Sequence, residues 1–217
     1  MIVQSTWQDA TWPTADCIIT DPPFSVRTHR GHALGKRTRE QRLNPINFDA
    51  IAHQQAEDWG ACWGSRAENW VCIITDHVLI PAWESGLQRA GLYVFAPIPC
   101  VIRGMTVRLM GDGPSSWSVF MVVARTRKAA RWGTLPGAYV VNRERVAMRG
   151  AKPLALMREI VQDYSRQGMT VVDPCAGSGT TLVAAHALGR SVWGCEPSPE
   201  RCGTANERLR TTIVSPV

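Results

Sequence analysis

Short apolar runs alternate along this chain with longer amphipathic segments. The apolar runs are rich in β-branched residues, which is typical of strands that are covered on both faces. They occupy residues 17–20, 71–75, 93–95, 118–124, 170–172 and 191–193. The longer segments have helical length, and several of them begin beside a proline or run into a glycine. These predicted helices cover residues 48–63, 81–90, 153–167, 180–188 and 199–210.

The alternation predicts an α/β fold with a largely parallel sheet, in which ligands bind beyond the carboxyl ends of the strands. A chain of 217 residues can bury most of its apolar surface in one core, so we expect residues 1–217 to form a single domain. Two segments depart from the pattern. Residues 25–47 have no clear period and are predicted to form a mobile basic loop, and residues 125–151 are predicted to form a short basic insert.

The net charge of +6 is concentrated in these two segments. Basic residues at this density can contact the phosphates of a polyanion, although a basic run is more often a solvated loop. The candidate phosphate contacts of the first segment are Arg27, Arg30, Lys36, Arg37, Arg39 and Arg42.

Composition also argues against several classes of protein. No apolar run approaches the ~20 residues needed to span a bilayer, and the first residues lack the features of a signal peptide. The seven cysteines are an odd number without a Cys-x-x-Cys pair, which favours reduced thiols in a cytoplasmic protein. The five histidines have no metal-ligand spacing, so no metal is expected.

A glycine turn joins the predicted strand at residues 170–172 to the helix that follows. Glycine lets the backbone approach a ligand closely, and the helix N-terminus offers unpaired N–H groups to an anion. The third glycine of a dinucleotide-binding site and the lysine of a P-loop are both missing, which argues against NAD and ATP. Glu196 follows Gly177 by nineteen residues, at the end of the next strand, where an acid can accept hydrogen bonds from ribose hydroxyls. The turn therefore favours a nucleoside cofactor; the alternative is an ordinary turn with an exposed Glu196.

The tetrapeptide Asp21-Pro22-Pro23-Phe24 follows the strand at residues 17–20 directly. An exocyclic amine on a base is a poor nucleophile, because its lone pair is delocalised into the ring. The Asp21 carboxylate and a main-chain carbonyl, that of Pro22, can accept its hydrogens and favour the charge that develops on nitrogen. The prolines fix the backbone and remove N–H donors, while Phe24 can stack on the base. The alternative is a plain turn that stops the strand.

Together, the two motifs resemble those of the DNA amino-methyltransferases of restriction-modification and phage systems. The tetrapeptide precedes the glycine turn, which is similar to the β-class order. The resemblance implies a Rossmann-like S-adenosylmethionine-dependent methyltransferase fold, with a mostly parallel sheet and an antiparallel hairpin at one edge. It also implies S-adenosylmethionine as cofactor and duplex DNA as partner, with the target base flipped out of the stack.

The resemblance assigns roles to residues of both motifs. Asp21, Pro22, Pro23 and Phe24 would be catalytic, and Glu196 would hold the ribose. Lys152, at the Lys-Pro pair that opens the helix before the strand at residues 170–172, would lie near the cofactor; the alternative is a solvated lysine at a helix start. The cofactor loop would comprise Asp173, Pro174, Cys175, Ala176, Gly177, Ser178, Gly179, Thr180 and Thr181. An aspartate in first position favours adenine N6 over cytosine N4, where the family usually carries serine.

Three features depart from the family. Cys175 replaces a phenylalanine, and Thr6 stands where an acid often meets the adenine of the cofactor. The segment between Ala124 and Lys152 is much shorter than a separate recognition domain, which predicts a relaxed or very short recognition sequence. An RNA adenine methyltransferase, a methylase of a glutamine side chain and a catalytically silent nucleic-acid-binding protein remain alternatives, and so does a homodimer against a protein that acts alone.

Overall fold

The computed structural model describes residues 1–29, 48–104, 117–129, 132–144, 148 and 150–214. These residues contain nine strands and five helices. The strands are β1 (Ile2–Val3), β2 (Ala15–Thr20), β3 (Ala67–Thr75), β4 (Tyr93–Val94), β5 (Ile98–Arg103), β6 (Ser118–Arg125), β7 (Tyr139–Asn142), β8 (Thr170–Asp173) and β9 (Ser191–Cys195). The helices are α1 (His53–Gly64), α2 (Ile80–Arg89), α3 (Leu154–Tyr164), α4 (Thr180–Ala187) and α5 (Pro199–Thr211).

The strands form one sheet in the order β1-β9-β8-β2-β3-β6-β5-β7, and β4 also pairs with β6. All neighbours from β1 to β3 are parallel. β6 runs antiparallel to both β3 and β5, and β7 adds a last strand parallel to β5. The predicted mostly parallel sheet is therefore confirmed. Among the described strands only β6 runs against the others, and the antiparallel pair that it forms with β5 lies inside the edge formed by β7.

Hydrophobic side chains cover both faces of the sheet. In β3, Trp70, Cys72 and Ile74 join the core of one face, against α3, α4 and α5. Val71 and Ile73 point the other way, into the core formed with α1 and α2. Because both faces are buried, the central strands need apolar residues at every position, which explains their continuous apolar runs.

All six strands and five helices predicted from the pattern are present. The other three described strands, β1, β5 and β7, were not predicted from the pattern. β7 lies inside the segment predicted as a basic insert, and Pro99 interrupts the apolar run of β5. In the predicted basic loop, Ser25 bridges to Ile51 and residues 26–29 form a helical turn, while residues 30–47 lie outside the described part.

The described helices include none that is both long and apolar enough to cross a membrane. All seven cysteines are free thiols. Within the described ranges, His, Cys, Asp and Glu side chains form no group that could hold a metal ion.

Candidate active site

Strands β2 and β8 are parallel neighbours, and each carries one of the two predicted motifs at its carboxyl end. The last residue of β2, Thr20, donates a hydrogen bond from its hydroxyl to Asp173 Oδ1 over 2.6 Å. This bond connects the residue before the tetrapeptide to the first residue of the glycine loop. The two bonded residues are 153 positions apart in sequence, and the two motifs therefore share one edge of the sheet.

Asp173 is almost completely buried at the start of the glycine loop. Its Oδ1 also accepts the backbone N–H of Cys175, which closes the turn after β8. Burial raises the pKa of Asp173 to about 6, although hydrogen bonds from Thr20, Cys175 and Thr181 oppose that rise. The charge of Asp21 raises the same pKa further, so the two carboxyl groups influence each other electrostatically.

The loop then passes through two glycines with positive φ, Gly177 at +53° and Gly179 at +78°. A Cβ at Gly179 would lie 2.9 Å from the Cβ of Ala205 in α5. A Cβ at Gly177 would meet no heavy atom closer than 4.0 Å. The loop is therefore packed against α5 at Gly179 and open at Gly177.

Glu196 follows β9 and contacts this loop from the neighbouring strand. Its Oε2 accepts the backbone N–H of Gly177 over 3.1 Å, and its Oε1 accepts that of Ser198 over 2.9 Å. Only 6% of Glu196 is exposed. The alternative of an exposed, unengaged Glu196 is therefore wrong.

Arg208 in α5 donates hydrogen bonds to the glycine loop and was not predicted. Its Nη1 donates to the backbone oxygen and the hydroxyl of Ser178 and to the hydroxyl of Thr180. Burial lowers the pKa of the Arg208 guanidinium. Arg208 is one of several arginines in α5, so its spacing carried no signal that could have singled it out.

The tetrapeptide lies beside Lys152. Lys152 Nζ donates to both carboxylate oxygens of Asp21, over 2.6 and 2.7 Å, and lies 4.6 Å from the centroid of the Phe24 ring. Burial raises the pKa of Asp21, while the charge and hydrogen bonds of Lys152 oppose that rise. Pro22 is buried, and Pro23 is half-buried. Lys152, which the resemblance assigned to the cofactor, thus contacts the candidate amine pocket.

Asp76, directly after β3, fixes the residues that follow the tetrapeptide and was also not predicted. Its Oδ2 accepts hydrogen bonds from the backbone N–H and hydroxyl of Ser25 and from the hydroxyl of Thr28. Its Oδ1 accepts the backbone N–H groups of Val78 and Leu79. One buried carboxylate therefore joins the end of β3 to the segment after Phe24.

The remaining predicted residues are placed only in part. Arg27 is exposed on the helical turn after Ser25, whereas the other five candidate phosphate contacts, Arg30, Lys36, Arg37, Arg39 and Arg42, lie outside the described residues. Thr6 donates a hydrogen bond to Asp9 Oδ2 over 2.6 Å. A carboxylate is therefore present beside Thr6, where the family often has an acid.

Comparison with known proteins finds similarity to DNA methylases over part of the chain. A family model described as DNA methylase matches residues 106–207, which are 102 of the 217 residues and just under half of the chain. The match confirms the predicted resemblance to the DNA amino-methyltransferases. The orphan methyltransferase M.BamHII of Bacillus amyloliquefaciens is 40% identical over 62 residues, which are 29% of this chain and 23% of that protein. The matched segment thus spans less than a quarter of this relative.

Solved structures resemble nearly the whole chain. The crystal structure of the M1.HpyAVI–SAM complex has a TM-score of 0.66 and 22% identity, with 90% of this chain and 89% of that chain covered. The cytosine-N4-specific PvuII DNA methyltransferase also has a TM-score of 0.66, at 11% identity, with 96% and 84% covered. At these identities the likeness shows the fold, which is the Rossmann-like fold of the methyltransferases.

Proposed function

We propose that this protein is a DNA methyltransferase that transfers a methyl group from S-adenosylmethionine to the exocyclic N6 amine of adenine. The observation that carries the proposal is the hydrogen bond between Thr20 and Asp173. It holds a candidate amine pocket and a candidate cofactor loop together on adjacent parallel strands. Methyl transfer requires this proximity, because the attacking nitrogen and the donor carbon must be held in contact.

The loop after β8 suits the nucleoside and the carboxylate of S-adenosylmethionine. The N-terminus of α4 has no side-chain cap, so its backbone N–H groups remain available to an anion. Gly177 is open to close approach, and Glu196 is fixed beside it with both carboxylate oxygens as acceptors. Bound S-adenosylmethionine would supply an electrophilic methyl group on a sulfonium ion.

The chain's own residues would prepare the amine. Asp21 and the carbonyl of Pro22 would accept hydrogen bonds from the amino group, which favours a pyramidal nitrogen with an accessible lone pair. The negative charge of Asp21 would stabilise the positive charge that develops as nitrogen attacks. Phe24 would stack on the base, which must leave the duplex to reach this pocket.

Cytosine N4 is the second candidate for the target. The cytosine-N4-specific PvuII enzyme shares this fold, and the same pocket chemistry would serve either amine. The aspartate at position 21 supports adenine, since the resemblance associates serine there with cytosine N4. The short segment between β6 and α3 supports a relaxed or very short recognition sequence, with basic residues contacting mainly phosphate.

Labelled S-adenosylmethionine and duplex DNA of mixed sequence test the proposal. After digestion to nucleosides, we expect label in N6-methyldeoxyadenosine. Label in N4-methyldeoxycytidine would show that the target is cytosine and not adenine. Label only in RNA or in a glutamine side chain, or DNA binding without any transfer, would overturn the proposal.

Asp21→Ala tests the amine pocket within this assay. We expect at least a ~100-fold loss of transfer, because the variant lacks the carboxylate that faces the amine, with unchanged S-adenosylmethionine binding by calorimetry. Asp58→Ala, an exposed aspartate in α1, is the matched control and should retain full activity. Transfer at the wild-type rate by Asp21→Ala would show that the pocket lies elsewhere.

A further inference from the structure

The Lys152 ammonium engages both parts of the amine pocket at once. It donates to Asp21 Oδ1 over 2.6 Å and to Oδ2 over 2.7 Å. It also lies over the ring of Phe24, 4.6 Å from the centroid. A target amine needs an Asp21 oxygen as acceptor, and a target base needs a face of Phe24. In this arrangement the lysine holds the positions that a base and its amine would take.

The contact stabilises a carboxylate that is poorly hydrated. The side chains of Lys152 and Asp21 are only 11% and 20% exposed. A buried carboxylate without a partner is costly, and it either takes up a proton or finds a donor. Lys152 supplies the donor as well as the opposite charge. The amino group of a bound base would supply hydrogen-bond donors to the same oxygens, so the two donors can replace each other.

The backbone around Lys152 is fixed, while its side chain is long. Lys152 precedes Pro153, which caps α3. The first N–H groups of this helix, those of Leu154 and Ala155, donate to the carboxylate of Glu144. The lysine ammonium sits on a flexible four-carbon stem. It can therefore leave Asp21 by side-chain rotation without any change in the position of α3.

We propose that the Lys152 ammonium occupies the place of the target amino group while the pocket is empty, and that the entering base displaces it. Lys152 is then a positioning residue that keeps Asp21 ionised and oriented before the base arrives. This proposal rests on the proposed methyltransferase function. It makes the partner of Asp21 different in the free enzyme and in the enzyme with bound DNA.

Within the part of the chain that the structure describes, other titratable groups near Asp21 do not replace Lys152 as its partner. Asp173, Cys100 and Cys175 each sense the charge of Asp21, and it raises the pKa of all three. Asp173 is a carboxyl group, and burial raises the pKa of both thiols, so none of them supplies a positive charge. Among the groups that act on the pKa of Asp21, Lys152 lowers it by charge and by hydrogen bonding, against the rise caused by burial.

The pH dependence of methyl transfer by Lys152→Met, at saturating S-adenosylmethionine, tests the displacement. kcat/KM for DNA reports the ionisation of the free enzyme, and kcat reports that of the bound complex. We expect the acid limb of kcat/KM to move up by about 1 to 3 pH units, the range typical of a carboxylate that loses a cationic neighbour. The acid limb of kcat should stay in place, because the base has already displaced Lys152 in wild type.

Arg158→Met is the matched control, since it removes one positive charge from the exposed face of α3. It should move neither limb. If both limbs move together in Lys152→Met, the lysine stays on Asp21 during the reaction, and displacement is wrong. If neither limb moves, the ion pair has no role in the ionisation of Asp21, and the proposal fails completely.

Carbon-13 NMR of the aspartate carboxyl groups gives a readout that needs no activity. The Asp21 signal is assigned by its loss in Asp21→Asn. In the free protein its pKa should be about 1 to 3 units higher in Lys152→Met than in wild type or Lys152→Arg. Lys152→Gln replaces Lys152→Met if the latter does not fold by circular dichroism. An unchanged Asp21 pKa would overturn the proposal. A raised pKa in a protein without methyl transfer would instead contradict the proposed function.

Discussion

Gly177 and Gly179 lie two residues apart in the same loop, but different demands require each of them to be glycine. Both have positive φ, which costs an alanine about 1 to 2 kcal/mol. At Gly179 the neighbouring helix also leaves no room, since a Cβ would lie 2.9 Å from that of Ala205. At Gly177 the space is open, so packing within the chain does not explain the glycine. Besides the positive φ, a ligand that approaches the backbone there would require glycine, as we propose for S-adenosylmethionine.

Gly177→Ala should therefore weaken S-adenosylmethionine binding by more than its loss of stability explains. Gly168→Ala is the matched control, because Gly168 also has positive φ and open space but lies in the turn before β8. We expect both variants to lose about 1 to 2 kcal/mol of unfolding free energy. Only Gly177→Ala should bind S-adenosylmethionine at least ~10-fold more weakly by calorimetry, a difference of about 1.4 kcal/mol. Equal affinities in the two variants would contradict a cofactor site at Gly177.

At the scale of single residues, some members of the candidate site could be predicted from the sequence and others could not. Asp21 and Gly177 belong to short motifs whose chemistry is local, so both could be nominated from the chain alone. Lys152 could be nominated only as a cofactor residue, because its contact with Asp21 spans 131 positions. Nothing in the spacing of Asp76 or Arg208 distinguishes them from surface charges. Their partners lie on other elements, and only the assembled sheet brings them together.

At the scale of elements, the strands that are buried on both faces gave the clearest signal in the sequence. β2, β3 and β8 are covered on both faces, and their continuous apolar runs were sufficient to find them. β5 and β7 instead alternate buried with more exposed residues near the edge of the sheet. A short alternating run resembles a loop unless its partner strand is known. The pairing of β2 with β8 could be expected only in general terms, from the rule that ligand sites gather at carboxyl ends.

Asp76 shows how one element holds another at the site. Its Oδ2 fixes the backbone of Ser25, the residue after Phe24, and so limits the movement of the tetrapeptide. In Asp76→Asn the amide nitrogen cannot accept that N–H. A buried donor left without a partner costs about 1 to 3 kcal/mol. Loss of this anchor should misplace Phe24 and Asp21 while leaving the loop after β8 intact.

For Asp76→Asn we therefore expect kcat to fall at least ~10-fold, since small misplacements of reacting groups reduce rates strongly, with unchanged S-adenosylmethionine affinity. Asp163→Asn is the matched control. Asp163 in α3 accepts a hydrogen bond from the hydroxyl of Tyr139, which an asparagine can also accept. It should retain its kcat. Parallel losses of kcat and cofactor affinity in Asp76→Asn would indicate general destabilisation instead of a positioning effect.

At the scale of the whole molecule, the sheet positions the candidate site, whereas the positive charge would attract DNA. The candidate amine pocket and the glycine loop share the carboxyl edge of the sheet, so the proposed chemistry would depend on the buried framework. The segment between β6 and α3 is short and also contributes β7 to that framework, so we expect it to make few contacts with base edges. Affinity for DNA would then rest mainly on phosphate contacts, to which a net charge of +6 is suited.

Phosphate contacts release counterions, so the affinity for duplex DNA should fall steeply with salt, with a slope of about −0.9 per contact in a plot of log K against log salt. Lys36→Gln with Arg37→Gln should reduce the magnitude of that slope by about 2 if both residues contact phosphate. The double variant Arg89→Gln with Arg158→Gln removes the same charge from exposed positions of α2 and α3 and should keep the wild-type slope. Fluorescence anisotropy with a labelled duplex, repeated over a range of salt concentrations, measures the slope for each variant. Equal slopes in the two variants would mean that the first basic segment does not bind phosphate, because total charge alone would then account for the attraction.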